Sequence, residues 1–129
     1  MFFKPMKWAM LWALFILILC GIPGRDIPHI HFLELLSFDK VVHAGIFFVL
    51  FILTAIGLEL QTKYSFNNNV SKLYAAAFCI VYGASTEIMQ GIIFTERSAD
   101  VFDFIANTTG CFIAFYFYKK LRSIFIKLF

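Results

Sequence analysis

Glu87-Ile88-Met89-Gln90, a turn at Phe94-Thr95-Glu96-Arg97-Ser98-Ala99, and then Asp100-Val101-Phe102-Asp103-Phe104-Ile105-Ala106-Asn107-Thr108-Thr109-Gly110 form the stretch on which the fold turns. On both sides of it the chain is apolar enough to sit in a bilayer. Carboxylates, carboxamides and an arginine are costly in that setting, and ionisable groups retained there are candidates for function. The stretch therefore reads as the end of one membrane helix, a turn and the start of another, with a site where they meet.

Composition supports lipid as the solvent. The chain of 129 residues is 61% hydrophobic and 15% charged, against roughly 45–50% and about 25% in ordinary soluble domains. Eighteen phenylalanines push the same way. A single small domain cannot hide that much apolar surface from water. The net charge of +3 comes with no basic face interleaved with polar residues, so nucleic acid is not an expected partner. Cys20, Cys79 and Cys111 lie in separate apolar runs, with no paired spacing and no histidine at ligand distance. They read as small buried side chains. His29-Ile30-His31 alternates with no third ligand nearby, so neither a metal nor another cofactor is expected.

Outward from the central stretch, four apolar segments appear, and the expected fold is all-α: an integral membrane four-helix bundle with helices over about 5–22, 39–60, 73–93 and 100–121. The first begins with Lys4 and Lys7 and ends at Gly21-Ile22-Pro23-Gly24. No small-residue cleavage site follows it, so an anchor is expected rather than a removed signal peptide. Residues 25–38 read as an exposed or interfacial loop. The second segment opens with Asp39, Lys40 and His43, and Asp39 suits a helix N-terminus. Residues 59–72 are polar, with Asn67-Asn68-Asn69 marking a turn. The third segment is rich in Ala, Gly and Ser, which let membrane helices approach closely. The fourth ends in Lys119, Lys120 and Arg122.

Charge bias orients the bundle. Four spans put both termini on one side with Lys4, Lys7, Lys63, Lys72, Lys119, Lys120, Arg122 and Lys127. Arg25, Lys40 and Arg97 complete the 11 basic residues on the other. Both ends are therefore expected in the cytoplasm, and every acid within a span falls in the outer leaflet. Spacing sharpens this. Asp39 and His43 share a face at i,i+4, as do Glu87 and Gln90 at i,i+3. Asp100, Asp103, Asn107 and Gly110 form one stripe. At about 1.5 Å per residue, Asn107 lies roughly 10 Å below Asp100 and His43 roughly 6 Å below Asp39. Asp39, His43, Glu87, Gln90, Arg97, Asp100, Asp103 and Asn107 are thus the expected ligand-binding set, and His43, Glu87 and Asp103 the candidates for any catalysis. All but Glu87 have a plainer explanation: Arg97 with Asp100 and Asp103 as a staple of the turn, Asp39 as an N-cap, Gln90 and Asn107 as interhelical hydrogen bonds, His43 as a satisfied interior histidine. None of these explains why all the groups share one leaflet.

The combined pattern, Asp39-Lys40-x-x-His43, Glu87-x-x-Gln90 and Arg97-x-x-Asp100-x-x-Asp103-x-x-x-Asn107-x-x-Gly110, resembles the VanZ-like membrane protein family from Asp39 to about Ala114. Thr95-Glu96 replaces the proline- or glycine-containing turn often seen before the arginine, and Ala114 stands where a second small glycine is common. The resemblance implies a single VanZ-like transmembrane domain over 1–129, multi-pass in a bacterial cytoplasmic (inner) membrane. It also implies a link to envelope homeostasis or to resistance against teicoplanin, with which the family's named member is associated. It supplies no reaction. The residues themselves leave three functions open. A binding module would hold a lipid headgroup or an amphiphilic ligand, Arg97 attracting its phosphate or carboxylate and the acids a cation or hydroxyls. An enzyme acting on a lipid or lipid-linked precursor would use His43 as acid or base, Glu87 or Asp103 beside it and Arg97 as anion clamp. A small proton- or cation-coupled carrier would use the acids as relays.

Overall fold

The second apolar segment has a nearly unbroken run from Ala44 to Leu58 and no distinct polar face, which is the pattern of a helix surrounded by other helices. A computed structural model describing residues 3–21, 38–61, 68–93 and 101–129 bears this out. Its elements are α1 (Phe3–Gly21), α2 (Phe38–Glu59), α3 (Asn68–Ile92), α4 (Val101–Tyr116) and α5 (Tyr118–Phe125), followed by a 3-10 turn at Ile126–Leu128. All regular structure among the described residues is helical. Helix α2 lies at the centre, packing against α1, α3, α4 and α5. Its Phe47, Leu50, Phe51, Ile52, Ala55 and Ile56 are fully buried and form most of the core with Ile16, Ala75, Cys79, Cys111 and Ala114. Cys20, Cys79 and Cys111 are buried thiols, none of them joined in a disulfide.

The helices are drawn together by small residues and by ring donors. A methyl group on Gly57 would lie 2.9 Å from the carbonyl oxygen of Pro5, so α1 crosses α2 backbone to backbone there. Trp12 Nε1 donates to the carbonyl of Ile46 at 2.9 Å, and Tyr82 Oη donates to that of Ala13, tying α1 to α2 and α3. The outer faces are apolar. Leu11, Leu14, Ile18, Val81, Ile88, Phe102, Ile105 and Phe112 are all exposed, an inversion of the soluble pattern that fits an acyl-chain environment.

Helices α1 and α2 are each long and apolar enough to cross a membrane, and α4 with the segment after it makes a third if the bent pair counts as one span. Helix α3 has 25 residues, ample length, but Ser85, Thr86, Glu87 and Gln90 lower its apolarity below that of a span taken alone. Two boundaries differ from the sequence expectation. Helix α3 begins at Asn68 rather than near residue 73, because asparagine opens helices as readily as it makes turns. The fourth segment does not run on to residue 121. It stops at Tyr116, Phe117 leaves the helix at φ −92, ψ 11, and the chain turns by 84° into Tyr118–Leu128. Glu59 holds that turn: it accepts from Tyr118 Oη at 2.8 Å, and Arg122 Nε lies 2.8 Å from both of its carboxylate oxygens.

Candidate functional site

Gly110 sets the approach of α4 to α2. A methyl group there would sit 2.0 Å from the Ala44 carbonyl oxygen, so the two backbones touch at this level. Asn107 and Asp103, three and seven residues back along the same stripe, are thereby carried onto the first turns of α2. Gly83 plays the matching part on α3. A methyl group on it would lie 3.2 Å from the Phe47 ring and 3.6 Å from the Asn107 amide, so Asn107 fills the space that the glycine leaves. Glu87 and Gln90 follow on the same helix, one and two turns further along.

The side chains that meet there come from three helices. Lys40 Nζ donates to Asp103 Oδ1. His43 Nε2 lies 3.6 Å from Asp103 Oδ2, and its Nδ1 is 3.0 Å from Asn107 Oδ1. An amide oxygen only accepts, so Nδ1 is the donor to Asn107, and Nε2 is the ring nitrogen that faces Asp103. One ring nitrogen of His43 and one carboxylate oxygen from each of Glu87 and Asp103 all lie within 4.8 Å of one another. These are the described residues with the chemistry to hold a metal ion.

Burial makes the arrangement consequential. Glu87 is 7% exposed, Asp103 8%, Asn107 2% and Gln90 1%. Both polar atoms of Gln90 and Nδ2 of Asn107 are buried with no hydrogen-bond partner among the described residues. An unmade hydrogen bond on a buried amide costs about 1–3 kcal/mol, and such groups are rare unless something else satisfies them. Two helix N-termini, those of α2 and α4, point toward the same region, and their dipoles favour negative charge there.

Of the residues expected from the sequence, His43, Glu87, Asp103 and Asn107 stand together, and Gln90 follows Glu87 by one turn. Asp39 is the second residue of α2. Arg97 and Asp100 lie outside the described residues, as do Arg25, His29 and His31. Lys40 was legible only as a nearby cation, yet it pairs directly with Asp103. Its i,i+3 spacing to His43 was the available signal. The Glu59, Tyr118 and Arg122 cluster at the opposite end of α2 was not expected at all.

A family model described as VanZ/LLP1 matches residues 2–126. No curated protein and no solved structure matches the chain.

Proposed function

Since the chain belongs to the VanZ/LLP1 family, we propose that it is a multi-pass protein of a bacterial cytoplasmic membrane that binds the polar headgroup of a membrane amphiphile. Both termini face the cytoplasm, four helical segments cross or enter the bilayer, and the pocket of His43, Glu87, Asp103 and Asn107 opens just below the outer surface. The ligand is a lipid or lipid-linked envelope compound. Its polar oxygens meet the amides of Asn107 and Gln90, its anionic part meets Arg97, and the acids take a cation or hydroxyls. One observation carries this reading: three helices of an otherwise apolar bundle bring two carboxylates and an imidazole within 4.8 Å, beside buried amides with unmade hydrogen bonds. A pocket of this kind in the outer leaflet is also positioned to act on acylated glycopeptides such as teicoplanin, and the proposed physiological role is envelope homeostasis or resistance of that type.

The test is thermal unfolding of the full chain in mild detergent, with phosphatidylglycerol, phosphatidylethanolamine or teicoplanin added separately. At least one should raise Tm, and the increase should vanish in Asp103→Asn. No increase with any of them, or the same increase in the variant, contradicts the reading.

A hydrolytic reading has one observation in its favour. His43 is held by Asn107 on one nitrogen and turned toward Asp103 with the other, the posture of an oriented general base. Incubation with envelope lipids should then give a new product by mass spectrometry, lost in His43→Ala. Lipid-dependent stabilisation without turnover selects the binding module instead.

A further inference from the structure

We infer that His43, Glu87 and Asp103 form a site for one divalent transition-metal ion of the zinc class, with Asn107 and Lys40 as its supporting shell. Spacing along the sequence gave no hint of this, because the three ligands come one from each of three helices. In space their ligand atoms gather within 4.8 Å. A tetrahedral ion with bonds of about 2.0–2.1 Å needs its ligand atoms about 3.4 Å apart. His43 Nε2 and Asp103 Oδ2, at 3.6 Å, are already near that separation, and a Glu87 carboxylate oxygen lies within 4.8 Å of a ligand atom of each.

The surroundings are those a bound ion requires. A ligating histidine donates its second ring N–H to an acceptor that fixes the tautomer and aims the other nitrogen at the metal. Asn107 Oδ1 occupies that position at 3.0 Å from Nδ1. A ligating carboxylate is itself hydrogen-bonded through its remaining oxygen. Lys40 does this at Asp103 Oδ1 and leaves Oδ2 for the metal. Mixed imidazole and carboxylate donors suit zinc-class ions better than calcium or magnesium, which prefer oxygen alone.

Independent of the cluster itself, Asn107 Nδ2 is buried beside it with no hydrogen-bond partner among the described residues, and both polar atoms of Gln90 are in the same condition one turn from Glu87. An amide donor left unmade on Asn107, whose oxygen already contacts His43, points to something held beside the cluster. Three protein ligands leave a fourth position open, as in reactive rather than purely structural zinc sites. That position takes an anionic oxygen or a water, with the Asn107 amide as its hydrogen-bond donor. Among the described side chains two carboxylates face one ammonium, and a divalent ion reverses that balance so that a phosphate or carboxylate headgroup is drawn in. Only this last step rests on the headgroup reading; the ion itself does not.

The experiment is titration of Zn2+, and of Co2+ in parallel, into the full chain in detergent, stripped of metal and carrying no polyhistidine tag. One ion per chain should bind, and Co2+ should develop the visible absorption of a low-coordinate site. Asp103→Asn and Glu87→Gln preserve shape, and each should weaken Zn2+ binding at least tenfold. Asn107→Ala should weaken it about 10–100-fold through the lost support. Glu59→Gln, at the far end of α2, should leave it unchanged. Absence of binding in the wild-type chain, binding undiminished in Asp103→Asn, or a loss equal in Glu59→Gln overturns the proposal. Because no lipid is present, a negative result leaves headgroup binding standing, and a headgroup failure leaves the ion standing.

Discussion

A methyl group on Gly110 would fall 2.0 Å from the Ala44 carbonyl oxygen, well inside van der Waals contact and against backbone that cannot swing away. Gly110→Ala should therefore push α4 from α2 and lower stability by about 1–3 kcal/mol or more, read as a fall in Tm in detergent. Gly45→Ala is the control: nothing lies within 4 Å of its added carbon, so its Tm should hold or rise slightly with the better helix former. The sequence showed Gly110 as the last member of a stripe containing Asp103 and Asn107, and a small residue facing a neighbouring helix was readable from that. Its partner was not, because the contact is with main chain 66 residues earlier. The same limit applies to Lys40 and Asp103. Each was visible as a charge near the outer surface, but an ion pair between the starts of two helices leaves no local pattern. The pairing of His43 with Asn107 was likewise accessible only as a shared depth.

Among the elements, the end of α4 shows most clearly where a pattern was present but read too simply. Leu121, Ile124 and Phe125 fall on one face of Tyr118–Phe125, with Lys119, Lys120 and Ser123 elsewhere. This is the amphipathic arrangement of a helix lying along an interface rather than the tail of a span. Continuous hydrophobicity through Phe117 hid the break. What fixes the bend is Glu59, which the sequence offered only as the first residue of a polar connection. Tyr118 packs edge-on against Phe51 with ring centroids 6.2 Å apart, and its hydroxyl has Glu59 as acceptor. Tyr118→Phe removes that hydrogen bond and should cost about 1 kcal/mol. Glu59→Ala should cost about 1–3 kcal/mol, since it strands the buried hydroxyl and removes the carboxylate from Arg122. Hydrogen exchange should rise across residues 118–129 in Glu59→Ala while residues 43–53 keep their protection. Equal exchange in both regions would place the strain elsewhere. Asn68 teaches a related lesson: a run of asparagines marks a boundary, and only packing decides on which side of it the helix begins.

At the scale of the whole molecule, the most secure inference came from composition. An excess of apolar residues and few charges pointed to a non-aqueous solvent, and the structure answers with exposed Leu, Ile, Val and Phe around an apolar core, with Glu87, Gln90, Asp103 and Asn107 buried toward one end of it. Helix α2 explains why that core has two ends. Its N-terminal turns present Lys40 and His43 to the site, and its C-terminal residue Glu59 fastens α5, about 24 Å away at 1.5 Å per residue. The core between them, from Phe47 to Ile56, is fully apolar save for Thr54, so the two clusters are insulated from each other. The meeting of His43, Glu87, Asp103 and Asn107 was legible because such apolar helices carry so few polar residues that each one counts. Their individual pairings were not, because the joining of α2, α3 and α4 is set by Gly83 and Gly110 meeting other helices, a property of surfaces rather than of intervals in the chain.

The central claim is that His43, Glu87 and Asp103 converge from three helices, and paired cysteines test it most directly. In a full chain with Cys20, Cys79 and Cys111 replaced by serine, His43→Cys with Asp103→Cys, and Glu87→Cys with Asp103→Cys, should each be bridged by one mercury(II) ion in native membranes, protecting both thiols from a maleimide reagent. His43→Cys with Arg122→Cys, the latter on α5 beside Glu59 at the far end of α2, should remain unbridged. If neither site pair is bridged, or the distant pair is bridged as readily, the three helices do not meet in the way described.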